Sequence, residues 1–230
     1  LAYQLLRVLA VVMLAWSVWQ FVATFTASRE RRRWLFLAVV FGAGIGWIWN
    51  VYRLVNGDYG GLVSDTELLT RPLDLWVPEG YVFYSMLVMP HFSVAIALLL
   101  LTVRCAAIGL ADNRLGMTAT AGLLCFALSF VHPYDVLIAL GLAGGVATLY
   151  SLRQHAISRA VWRHVGLLML IGSGPVLYNY WILNSNPGMH AWLVQNHSAS
   201  PAPASYLAGY GLLLLGALLY TLKQRRELGT

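Results

Sequence analysis

Apolar residues dominate seven stretches of this chain, at about residues 2–26, 35–54, 91–110, 117–132, 135–151, 165–183 and 205–222, and polar residues collect between them. A helix of roughly 20 apolar residues is long enough to cross a hydrocarbon layer. Each run therefore predicts a helix, and together they predict an all-α fold. The expected architecture is a polytopic integral membrane helical bundle of about seven transmembrane helices. It forms a single transmembrane domain over residues 1–230. The runs 117–132 and 135–151 are short and predict a tight hairpin with His132, Pro133, Tyr134 and Asp135 at its corner. Proline suits a corner because it has no backbone donor and disfavours helix in the residue before it.

Two outer connections are long, residues 55–90 and 184–204. Connections of that length without strong secondary structure tend to carry function or to be disordered. From Leu73 the first becomes too apolar to float in water ("LDLWVPEGYVFYSMLVMPH"), which predicts a segment lying at the interface or re-entering the protein. "FGAGIGW", residues 41–47, looks like a phosphate loop. It lies inside an apolar run, however, and no Lys-Ser/Thr follows. Gly42, Gly44 and Gly46 are better read as permitting close helix packing. Gly172, Gly174 and Pro175 predict a kink in the sixth run. "NHS" at 196–198 matches a glycosylation acceptor, a triplet common by chance.

Composition turns the helices into membrane spans. Hydrophobic residues make up 59% of the chain and charged residues 10%, where soluble domains carry about 25% charged. The net charge of +6 suggests nucleic acid until the charges are located. Arg29 and Arg31–Arg33, then Arg104 and Arg114, then Arg153, Arg159 and Arg163, then Lys223, Arg225 and Arg226 occupy alternate connections. The positive-inside rule makes that side cytoplasmic. The N-terminus of this chain is then outside and its C-terminus cytoplasmic, and no nucleic-acid partner is needed. The acidic residues and His91, His132, His190 and His197 fall mainly on the opposite side. Cys105 and Cys125 read as small core residues rather than a disulfide or metal pair. Arg7 lies within the first run, where a charge must snorkel, pair or face a polar cavity.

The outer side holds the candidate chemistry. Asp74, Glu79 and His91 lie along the apolar outer segment, and His132 and Asp135 sit at the hairpin corner expected at the same depth. Converging, they would make a pocket for a general base, a metal or a phosphate-bearing lipid. The structural alternative is that Glu79 or Asp135 caps a helix and His91 bonds a loop. No metal ligand set is assigned: His132 and Asp135 are spaced i, i+3, but Pro133 intervenes and no third ligand is specified. No cofactor is implied with certainty, and a divalent metal ion stays an open alternative.

"LAYQLLRV", "FGAGIGW", "DLWVPEGYVFYSMLVMPHFSVAIALLLL", "HPYD" and "SPAPASYLAGYGLLLL" together resemble bacterial polytopic membrane glycosyltransferases of the GT-C type. The resemblance implies an enzyme of the bacterial inner (plasma) membrane. It would use a polyprenyl-phosphate-linked sugar and membrane lipid on the extracytoplasmic side. The family's usual catalytic carboxylate lies in a large outer loop after its first span, and that loop is expected upstream of Leu1, in a longer protein. Within this chain the resemblance points to Glu79, Asp74 and Asp135 as catalytic candidates. It implies His91, His132, Arg7 and Arg53 as substrate-binding ones, the two arginines pairing with donor phosphates. A rival reading is a non-catalytic membrane subunit that scaffolds a larger complex with membrane protein partners. A transporter ranks third, because the charges gather at one face and no inverted repeat is visible.

Overall fold

The structure, a computed structural model, describes residues 1–42, 44–57, 72, 74, 77, 80–153, 158–195 and 201–228. For 50, 149, 150, 153, 192, 221 and 224–228 it describes the backbone alone. The described residues form helices and no strand: α1 (Ala2–Val22), α2 (Arg29–Phe41), α3 (Gly46–Val55), α4 (Val82–Val88), α5 (Pro90–Ala111), α6 (Leu115–Val131), α7 (Pro133–Arg153), α8 (Arg159–Gly172), α9 (Gly174–Ser185), α10 (Pro187–Gln195) and α11 (Pro203–Leu228). The fold is all-α, as the apolar pattern predicts.

Among the described residues three stretches are long and apolar enough to cross a membrane unaided, Ala2–Val22, Pro90–Ala111 and Pro203–Tyr220. Two bent pairs, α2 with α3 (41°) and α8 with α9 (45°), raise the number to five when each pair is one span. The chain is a membrane protein. Leu115–Val131 and Pro133–Thr148 are the shorter apolar helices among the described residues. They adjoin at the predicted corner, with His132 ending one helix and Pro133 opening the next.

The chain divides into two compact units. The first comprises Leu1–Phe36 and Met89–His197. Its core is built from Leu98 and Cys105 of α5, Ala121, Cys125 and Leu128 of α6, Val136 and Ala139 of α7, and Leu168 of α8. Lipid tails are as apolar as leucine, so burial against lipid drives little here and close packing must hold the helices together. The contact of α6 with α8 shows how. A Cβ on Gly122 would stand 2.8 Å from Ile171, and one on Gly172 would stand 2.9 Å from Cys125 Sγ. Both cysteines are free and buried. Arg104, inside α5, donates from Nε to the Gln20 carbonyl in the last turn of α1 at 2.9 Å, where unpaired carbonyls favour a cation.

Two breaks in this unit have local causes. At Ser173, between Gly172 and Gly174-Pro175, the sixth run bends as predicted. The stretch read as outer loop 184–204 contains α10 instead. Asn186 Oδ1 accepts the backbone N–H groups of Gly188 at 3.0 Å and Met189 at 3.2 Å, and Pro187 supplies the fixed φ of a first helical position.

The second unit comprises Leu37–Val88 and Ser198–Thr230. Leu212–Leu215, Leu218 and Leu219 of α11 are all exposed, a run that covers every face of the helix and fits lipid as its solvent. The predicted span 35–54 is interrupted at "FGAGIGW", where α2 ends and α3 begins. The break follows from close backbone approach. Ile45 N–H donates to the Ala208 carbonyl at 2.9 Å. A Cβ on Gly44 would run into the Ala208 and Gly209 carbonyls. Only glycine fits there, which bears out the packing role read from the sequence.

Candidate functional site

The second unit gathers its polar chemistry around the start of α3. The first N–H groups of a helix have no partner within it and carry partial positive charge. Here Asp74 provides one partner: its Oδ2 accepts the Gly46 N–H at 3.0 Å. Gly46 must be glycine, because a Cβ would collide with the Asp74 carboxylate, whose Cγ would lie 2.8 Å away. Asp74 Oδ1 is buried and has no hydrogen-bond partner among the described residues. Burial raises the Asp74 pKa above the ordinary carboxylate value. The backbone N–H groups of Gly46, of Asp74 itself and of Gly44 pull it partly back.

Tyr81 and Tyr210 complete this cluster. Their rings stack with centroids 5.2 Å apart and planes 10° from parallel. Burial first, then Tyr210 and the Asp74 carboxylate, push the Tyr81 hydroxyl far up, so it stays protonated. The arrangement is a carboxylate of strengthened basicity with one free oxygen, beside a neutral phenol that can donate a hydrogen bond. A carboxylate of raised basicity is the type of group that can accept a proton from a hydroxyl.

The first unit holds the other candidates. At the hairpin corner His132 Nδ1 and Asp135 Oδ1 lie 3.1 Å apart, both side chains partly buried. The Phe92 ring joins His91 to this pair. It lies 4.2 Å from the His91 ring and meets His132 edge-on at 5.8 Å. His91 is exposed. The Phe92 ring thus touches both histidines, and Asp135 meets His132. Arg7, partly buried in α1, belongs to this unit, and Arg53, in the last turn of α3, belongs to the second. Glu79 lies outside the described residues. Among the described residues no three His, Cys, Asp or Glu side chains converge on a metal site. The His132–Asp135 pair provides two ligands at most, so no step is routed through a metal.

One further polar group, near the basic connections, escaped the sequence reading. His164 Nε2 lies 3.1 Å from Asn113 Oδ1, and Nδ1 lies 2.6 Å from Thr118 Oγ1. Arg163 also donates to Asn113 Oδ1, at 3.2 Å. That oxygen is therefore an acceptor, Nε2 carries the proton, and Nδ1 accepts from Thr118. Asn113 holds φ at 51°, a left-handed turn that asparagine tolerates. The available signal was an Asn in the short polar turn between two apolar runs and a His one turn inside the next basic-flanked run.

No protein-family model, no curated protein and no solved structure matches the chain.

Proposed function

We propose that this chain is, or belongs to, a GT-C-like membrane glycosyltransferase. It transfers a sugar from a polyprenyl-phosphate donor to an acceptor hydroxyl on the extracytoplasmic side of a bacterial inner membrane. The observation that carries the proposal is Asp74, a partly buried carboxylate with one oxygen anchored to Gly46 N–H and the other uncommitted among the described residues. The anchored oxygen fixes its direction, and burial makes it a stronger base. In the proposed step Asp74 takes the proton from the acceptor hydroxyl. The acceptor oxygen bonds to the anomeric carbon. The bond from that carbon to the donor's phosphate oxygen breaks, and the lipid phosphate leaves with the electron pair. Tyr81 stays neutral and is available to hydrogen-bond a sugar oxygen. Arg53, in the same unit as Asp74, is the guanidinium group assigned to the donor phosphate, a task suited to its forked donors. Glu79, to which the resemblance also points, stays a second catalytic candidate.

The alternative, a non-catalytic membrane subunit, is favoured by the same bond read differently. A carboxylate on a helix N-terminus is also what a structural cap requires. The two readings part in one experiment. The full chain in proteoliposomes is supplied with polyprenyl-phosphate sugars and a hydroxyl acceptor, and release of polyprenyl phosphate is followed. Time-dependent release above protein-free vesicles supports the enzyme. Release no faster than in those vesicles, across the donors tried, sinks it and leaves the scaffold.

A further inference from the structure

The first unit contains a cavity that neither the hairpin corner nor the basic connections account for. It measures about 170 Å³, lies among α5, α6, α7 and α8, and is partly open. Its walls are short where helices would otherwise close: Ala106 and Ala107 from α5, Ala139 and Ala143 from α7. An apolar cavity of about 150 Å³ takes up a benzene-sized molecule and otherwise stays dry. This one has the size of a single ring.

Its polar atoms are few and nearly all committed. Thr118 and His164 reach the wall, but their atoms bond each other and Asn113. Thr102 is different. It is 1% exposed, lines the cavity, and its Oγ1 has no hydrogen-bond partner among the described residues. A threonine within a helix can bond back to the carbonyl four residues earlier. Thr102 does not, and an unpaired buried hydroxyl is costly. Water answers this need poorly, since a buried water wants two to four polar partners and Thr102 provides one.

We infer that the cavity is a binding site for a ring-sized apolar molecule carrying one oxygen, of the phenol type, with that oxygen hydrogen-bonded to Thr102 Oγ1. The ring fills the alanine-lined space and the single oxygen satisfies the single uncommitted hydroxyl. The cavity lies among apolar helices, so such a molecule reaches it by first dissolving in the membrane.

The test uses the full chain in nanodiscs, with 4-fluorophenol and 4-fluorotoluene as probes followed by fluorine NMR against protein-free discs. Wild-type protein is expected to bind 4-fluorophenol saturably and 4-fluorotoluene about tenfold more weakly, the worth of one hydrogen bond. Thr102→Val keeps the shape and removes the hydroxyl. It is expected to abolish the difference between the probes while retaining the weaker binding. Ala106→Phe fills the space and is expected to abolish both. Absence of saturable binding to wild-type protein overturns the inference. So does a preference for 4-fluorophenol that survives in Thr102→Val. That variant decides the matter even where Ala106→Phe fails to fold.

Discussion

Asp74 Oδ2 accepts the Gly46 N–H at 3.0 Å across 28 residues of chain. A carboxylate from the connection after α3 thus caps a helix that begins inside an apolar run, and one contact joins the fold of the second unit to its candidate chemistry. Asp74→Ala removes the cap, and a lost cap costs roughly 1 kcal/mol. Asp74→Asn retains an acceptor oxygen and is expected to cost less. Thermal unfolding in detergent is expected to place the Ala variant below both Asn and wild type. Equal midpoints for Ala and wild type would mean the contact holds nothing.

Gly46→Ala tests the same contact from the other side. Its new methyl needs the place taken by the Asp74 carboxylate, so it should destabilise by roughly 1–3 kcal/mol, the usual range for overpacking. In Asp74→Ala the obstruction is gone, and Gly46→Ala should then cost less than in wild type. Additive costs in the double variant would show that the two positions do not touch.

The raised Asp74 pKa has a sign. The folded protein holds this proton to higher pH than the unfolded chain, whose value is near 3.8. Above that pH the unfolded state binds fewer protons, so the neutral carboxyl's stabilising share is complete below 3.8. It is lost as pH rises through the folded value. Asp74→Asn should remove this component, and its stability should fall less than that of wild type from pH 4 upward. Parallel pH curves would contradict the assignment.

The His164 cluster predicts a structural effect within the first unit. His164→Ala leaves the buried Thr118 hydroxyl without its partner and frees the Asn113 turn, a loss of roughly 1–3 kcal/mol. Amide exchange should speed up in the α5–α6 turn. Asn113→Gly keeps the left-handed turn but not the bonds, and should show the same acceleration. Unchanged exchange in both variants would remove the cluster from the account.

Each of the seven runs contains helix, because apolarity is a local property of the chain. Among the described residues, however, three stretches, or five with each bent pair as one span, are long and apolar enough to cross a membrane, where the apolar pattern predicts about seven. The bend at Gly172–Pro175 was readable because glycine and proline mark backbone behaviour where they stand, whereas "FGAGIGW" was read as close packing within one span and the break there was missed. α10 was missed because residues 184–204 were read whole as a loop, although an Asn-Pro pair such as Asn186-Pro187 can open a helix. The pairing of Asp74 with Gly46, and of Asn113 with His164, depends on tertiary packing that no spacing rule reports. Of the candidate residues, the His132–Asp135 contact was legible from its i, i+3 spacing. The role of Asp74 as a cap emerged only from the fold.

The proposed chemistry rests on Asp74 as the base, and Asp74→Asn tests it most directly. The measurement is release of polyprenyl phosphate by wild type and variant in matched proteoliposomes, with thermal midpoints recorded alongside. General-base catalysis contributes about 10²–10⁴-fold. The account therefore predicts at least a hundredfold slower release from Asp74→Asn, with a thermal midpoint close to that of wild type. An Asp74→Asn protein that releases polyprenyl phosphate as fast as wild type would contradict it.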